Sequence, residues 1–141
     1  MQKGLIVHTV ISNSVDEVLI LHRSKENDIL PGYWDIPGGT LADGEDPDVG
    51  ATREVKEETG LDVSGLKLFF QKSNVDVSKN KQFVTLVFHT KIFYGKVVIN
   101  FSEHDDFIWI KPADIGLYKV VDYIPDCLIA YDAFSTKVQN Q

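Results

Sequence analysis

Apolar residues fall in short runs separated by turn formers over most of the chain, a pattern that predicts strands with a few helices between them. Residues 5–11 and 17–22 are two β-branched apolar runs with Asn13-Ser14 between them, which predicts a hairpin. Residues 24–33 carry Asn27, Asp28, Pro31 and Gly32 and read as a loop. That loop delivers Trp34-Asp35-Ile36 into an extended segment, which Pro37-Gly38-Gly39 ends. Further strands are expected over 66–71, 83–93, 96–101 and 107–110, with turns at Ser78-Lys79-Asn80 and at Gly95.

Two stretches break the strand pattern. Asp46-Pro47 supplies a cap and a proline for a first helical turn, Gly60 supplies a left-handed stop, and the residues between are good helix formers, so a helix is predicted over 47–59. A short helical turn follows Pro112, and Leu128, Ile129 and Ala133 give residues 126–137 the spacing of a closing helix. The expected fold class is α/β (α+β), a mixed sheet with at least two helices. With no repeat, low-complexity tract or linker, residues 1–141 read as one domain.

Composition narrows the class. The chain is 43% hydrophobic and 25% charged, which excludes a disordered or collagen-like protein. Its formal charge of −7 predicts repulsion from nucleic acid polymers and anionic membranes, so an anionic substrate would need a local bridge. No apolar run approaches the roughly 18 residues of a membrane span, and no signal peptide layout is present. Cys127, the single cysteine, cannot form an internal disulfide; it reads as a small buried hydrophobe, and a cytoplasmic location is expected.

Chemistry concentrates in the first helix. Glu54, Glu57 and Glu58 stand at i, i+3 and i+4, so three carboxylates crowd one face at an unfavourable few tenths of a kcal/mol per pair. A cation relieves that crowding, and Mg²⁺ or Mn²⁺, which take oxygen ligands alongside substrate phosphates, fits best. From Gly39 to Leu61 the chain reads GTLADGEDPDVGATREVKEETGL: Gly, five residues, Glu, seven residues, then Arg-Glu-apolar-x-Glu-Glu-x-Gly-apolar. This segment, residues 39–61, resembles the signature of the Nudix (MutT-like) hydrolase family at every specified position, and a chance match is on the order of 10⁻⁹ per start site.

The resemblance implies the Nudix fold, an α/β/α sandwich around a central mixed β-sheet. It also implies Mg²⁺-dependent hydrolysis of a nucleoside diphosphate linked to another group. Glu57 and Glu58 resemble the family's central metal ligands, Glu54 its further ligand or water-activating base, and the Gly38 carbonyl its non-carboxylate ligand. Arg53 resembles the arginine that pairs with Glu45 to hold loop against helix, with Gly39 and Gly60 as structural support. Many members recruit one more glutamate from across the sheet, and Glu103 in Ser-Glu-His-Asp-Asp is the candidate here. Arg23 is a candidate for a substrate phosphate and Trp34 for stacking on a base, with Tyr33 and Phe83 as other aromatics. His8, His22, His89 and His104 show no ligand spacing and read as structural or exposed.

Signals that mark other substrate groups of the family are missing. Val77-Ser78-Lys79 stands where ADP-ribose hydrolases carry a proline and dinucleoside polyphosphate hydrolases a tyrosine. Ile36 and Asn27-Asp28 depart from the coenzyme A pattern, and the NADH pattern is absent. The expectation is therefore cleavage of a nucleoside triphosphate, oxidised or not, to monophosphate and pyrophosphate. Alternatives are hydrolysis of ADP-ribose or another sugar nucleotide, and a non-catalytic domain that senses a nucleotide. The expected partner is a small nucleotide, with neither nucleic acid polymer nor membrane, in a monomer or a homodimer.

Overall fold

The computed structural model of the chain describes residues 1–139. Strand β1 (Gln2–Ile11) is followed by β2 (Val18–Arg23), β3 (Trp34–Asp35) and β4 (Gly38–Thr40), then helix α1 (Pro47–Thr59). After it come β5 (Asp62–Ser64), β6 (Lys67–Asp76), β7 (Lys81–Thr90), β8 (Ile92–Tyr94) and β9 (His104–Ile110). A 3₁₀ turn (Pro112–Leu117) and helix α2 (Ile124–Gln139) close the chain.

The predicted hairpin of the first two strands does not form. β1 instead pairs in parallel with β7, from Gln2 opposite Lys81 to Ile11 opposite Thr90, and takes β4 antiparallel on its other edge. β2 lies in a second, antiparallel sheet between β3 and β9, and next to β1 its one ladder pairing is the isolated bridge Ser12 to Val18. The local turn signal was sound, since the Asn13 side chain accepts the N–H groups of Val15 and Glu17. A turn fixes the direction of the chain but not which strand the next one pairs with. The main sheet runs β4-β1-β7-β6 and is mixed, while β5 and β8 make a small pair of their own.

Alternation along these strands places a layer on each face. On β1, Val7 and Ile11 join the clusters that hold Ala51 and Val55 of α1, while Val10 faces Cys127, Leu128 and Tyr131 of α2. On β2, Leu19 and Leu21 face the α1 side and Val18 and Ile20 the α2 side. The architecture is thus an α/β/α sandwich, and each fully buried aliphatic side chain contributes about 1.5–3 kcal/mol of transfer free energy. Cys127 is fully buried in this core, as its sequence context implies.

Helix α1 has the predicted bounds, with Gly60 at φ 74° as its left-handed stop. The expected strand over 96–101 is absent. Val97 and Ile99 do point inward, onto the cluster of Leu61 and Val55, but this backbone lies across the end of α1 with Val98 N–H donating to the Thr59 carbonyl at 2.8 Å. The alternation is real, yet packing rather than a ladder satisfies it.

Beneath α2, His89 is 8% exposed, with Tyr131 at 4.9 Å and Phe134 at 6.0 Å between ring centroids, and its Nε2 lies 3.0 Å from Ser12 Oγ. Burial, with help from the Lys91 charge, lowers its pKa to about 4. The unfolded imidazole titrates near 6.5, so the folded state resists protonation and loses stability as pH falls from about 6.5 to 4. Between pH 7 and 4 the wild type should lose on the order of 2 kcal/mol more than His89→Gln, read from denaturant midpoints. Identical pH slopes would show that His89 is not what titrates.

Candidate active site

The three carboxylates of α1 meet different surroundings. Glu58 is 7% exposed and one carboxyl oxygen accepts the Gly38 N–H at 2.7 Å. Burial pushes its carboxyl up to about 9, with the Glu103 charge adding and the Gly38 N–H opposing. Glu54 is half-buried and is also raised, first by burial, against the pull of Arg53. Glu57 is exposed.

Arg53 organises this face. Its Nε and Nη2 donate to the two oxygens of Glu45 at 2.8 and 2.9 Å, a two-pronged contact that holds the Glu45 carboxyl down to about 2. Its Nη1 reaches Glu54 at 3.0 Å and Glu57 at 3.2 Å, and Nη2 also donates to the Thr40 carbonyl at 3.3 Å. With the guanidinium itself a third exposed, ion pairs of this kind add little stability. Their effect is orientation: one guanidinium locks the loop before α1 and two of the helix carboxylates into a single geometry.

The glycines explain how the sheet comes so close to α1. A Cβ on Gly38 would lie 2.3 Å from the Val7 carbonyl oxygen and 2.4 Å from the His8 ring, and one on Gly39 would lie 2.6 Å from the Glu54 carboxylate. Only bare backbone lets β4 run between β1 and the acidic face.

Glu103 arrives from the opposite side. Its carbonyl accepts the Ser24 N–H at 2.9 Å, which ties the loop before β9 to the end of β2. The pairing of Arg23 with His104 then brings Glu103 and His104 beside Glu58, with one ligand atom from each of the three within 4.8 Å of the others. The sequence offers no spacing that marks His104; it joins the group through the β2–β9 pairing alone. Glu54 feels the Glu57 and Glu103 charges as well, so all four carboxylates belong to one electrostatic neighbourhood.

Arg23 and Trp34 lie on the next strands. Arg23 Nε donates to the Ile29 carbonyl at 2.6 Å, Nη2 to Asn27 at 2.8 Å and Nη1 to the buried Asp35 at 3.4 Å. Those bonds fold the 24–33 loop over its own strand and leave two of the five guanidinium N–H groups for another acceptor. Trp34 packs edge-on against His22 at 4.9 Å and Tyr118 at 5.6 Å, and its backbone bonds Lys119 and Val121. It is half-buried, so its ring serves the core at least in part.

This donor set suits a hard divalent cation. Arg53 spends its contacts on Glu45, Glu54 and Glu57, which leaves Glu58 and Glu103 facing each other as adjoining carboxyls. Carboxylates are oxygen ligands of the kind that Mg²⁺ and Mn²⁺ take. Among the described residues no helix is long and apolar enough to cross a membrane.

Known proteins share both the sequence pattern and the fold. A NUDIX domain profile matches residues 2–129. The nucleoside triphosphatase NudI of Escherichia fergusonii is 27% identical over 84% of this chain and 89% of its own length. An uncharacterized Nudix hydrolase of Listeria monocytogenes is 38% identical over 47% of this chain, a match that spans only 41% of that protein. An 8-oxo-dGTP diphosphatase of Proteus vulgaris is 38% identical over 39% of this chain and 48% of its own length. Among solved structures, the MutT protein of Methanosarcina mazei superposes with a TM-score of 0.83 at 26% identity, over 95% of this chain and 96% of that one. A profile match over nearly the whole chain, falling on a fold that turns Glu58 of the motif toward Gly38, leaves one conclusion: the chain belongs to the Nudix hydrolase family.

Proposed function

We propose that the chain is a divalent-cation-dependent pyrophosphohydrolase that splits a nucleoside triphosphate, normal or oxidised, into the monophosphate and pyrophosphate. The observation that carries this reading is the grouping of Glu54, Glu57, Glu58 and Glu103 in one electrostatic neighbourhood, with Glu58 bonded to Gly38 and Glu54 beside Gly39, in a chain of net charge −7. Such a site repels a polyphosphate unless a cation lies between them. A bound divalent cation neutralises charge on the phosphate oxygens and acidifies water.

The chain's own groups do the rest. Glu54, Glu57, Glu58, Glu103 and the Gly38 carbonyl would hold the cation, with the Gly38 N–H keeping the Glu58 carboxyl in place. Glu54 would take a proton from the attacking water, a role that its burial-raised carboxyl and its bond from Arg53 support. The two spare N–H groups of Arg23 are offered to a phosphate, and the exposed part of Trp34 to a base. The NudI relative is a nucleoside triphosphatase and the Proteus vulgaris relative an 8-oxo-dGTP diphosphatase, and both support a triphosphate substrate.

The test is a substrate panel with purified protein in Mg²⁺ or EDTA, and products separated by chromatography. The panel holds normal and oxidised nucleoside triphosphates, ADP-ribose, sugar nucleotides, dinucleoside polyphosphates and coenzyme A. The expected result is monophosphate plus pyrophosphate from a triphosphate, only with metal. Cleavage confined to ADP-ribose or a sugar nucleotide overturns the substrate. No cleavage, with a nucleotide raising Tm, overturns catalysis in favour of sensing.

A further inference from the structure

His104 is the residue of this site that the oxygen chemistry leaves unexplained. It is 2% exposed and its Nδ1 has no hydrogen-bond partner, a state shared among the described residues only by Thr9 Oγ1. Leaving a buried polar atom unsatisfied costs about 1–3 kcal/mol, so a bare imidazole here is a loss for folding. Yet the ring does not face an apolar wall. One of its nitrogens stands within 4.8 Å of carboxylate oxygens from both Glu58 and Glu103.

The geometry matches one ion. Metal–ligand bonds of about 2.0–2.4 Å let a single cation join donors up to about 4–5 Å apart, the spread of these three. The backbone places the donors: Gly38 N–H fixes Glu58, while the end of β2 fixes the other two together, Ser24 N–H through the carbonyl of Glu103 and Arg23 through its pairing with His104. Two segments distant in sequence, α1 and the start of β9, thus present one nitrogen and two carboxylates to the same space.

We infer that His104 is a metal ligand, giving the Glu58–Glu103 position a nitrogen donor and a preference for a first-row transition dication such as Mn²⁺ over Mg²⁺. Mg²⁺ takes oxygen almost exclusively, whereas imidazole is a good ligand for the transition series. This deepens the proposed function by naming the ion that site selects, and it rests on that reading only for the ion's use in hydrolysis.

The experiment uses Mn²⁺ alone, with the full chain and no nucleotide. Pulsed EPR of the Mn²⁺-loaded wild type should show coupling to a directly bound ¹⁴N, and His104→Gln should lose it. Calorimetric titration should show Mn²⁺ weakened roughly tenfold in His104→Gln and Mg²⁺ changed less than about twofold. Absence of nitrogen coupling in the loaded wild type overturns the inference without any variant. So does coupling that survives in His104→Gln, or an equal loss of both ions. Failure here leaves the hydrolysis panel untouched, and failure of the panel leaves the coupling to be read on its own.

Discussion

Glu58→Gln and Glu57→Gln should each lower turnover by about 10³-fold while leaving the metal-free Tm nearly unchanged, as judged from steady-state kinetics in Mg²⁺ beside thermal melts in EDTA. The size follows from the charge that a carboxylate ligand brings. Losing it removes several kcal/mol of cation-mediated stabilisation of the transition state, and about 4 kcal/mol is a thousandfold in rate. The constancy of Tm follows from the surroundings. Glu58 is buried against another carboxyl, and burial pushes its pKa up to about 9, so its neutral form is favoured without metal. Glutamine keeps the shape and keeps an oxygen for the Gly38 N–H. Glu57 is exposed, and its contact with Arg53 Nη1 at 3.2 Å is worth at most about 0.5 kcal/mol. Undiminished activity in both variants would remove the site assignment. A large drop in metal-free Tm for Glu58→Gln would make that residue a structural one instead.

How much of this was legible depends on whether the signal was local. The bounds of α1 are written into Asp46-Pro47 and Gly60, and the i, i+3, i+4 spacing of its glutamates follows from helix geometry alone, so the acidic face needed no tertiary information. The pairing of β1 with β7 did, because no local turn encodes a parallel neighbour that far along the chain. The segment 96–101 carries a strand's alternation but meets the end of α1 rather than a sheet edge. Within the site, Glu103 was suggested by family pattern and His104 by nothing local. Its place beside Glu58 exists only once Arg23 and His104 are paired across β2 and β9. The same dependence limits Arg23: the sequence shows a cation after a strand, and only the fold shows that three of its N–H groups are engaged by Ile29, Asn27 and Asp35.

Gly38→Ala and Gly39→Ala should separate stability from activity, although the two glycines are neighbours on β4. At Gly38 the added methyl meets backbone, 2.3 Å from the Val7 carbonyl oxygen, and a ring 2.4 Å away on the buried His8. The carbonyl cannot step aside without moving β1, which is hydrogen-bonded to β7 along its whole length, and the ring is held by the Ile36 carbonyl at 2.9 Å. β4 must therefore lift from β1, at the roughly 1–3 kcal/mol typical of overpacking, which for a chain of this size lowers Tm by on the order of 5–10 °C. The same shift carries the Gly38 N–H and carbonyl away from Glu58, so activity falls with stability. At Gly39 the methyl meets the end of the Glu54 side chain at 2.6 Å, which can rotate away. Its metal-free Tm should stay within about 2 °C of wild type, since the flexible end of Glu54 can turn away without moving backbone. Turnover should still drop by roughly ten- to a hundredfold, because Glu54 leaves the geometry that Arg53 holds. Thermal melts in EDTA and kinetics in Mg²⁺ on both variants decide the matter. Should Gly38→Ala retain both stability and rate, the close approach of β4 to β1 would not be what builds the site.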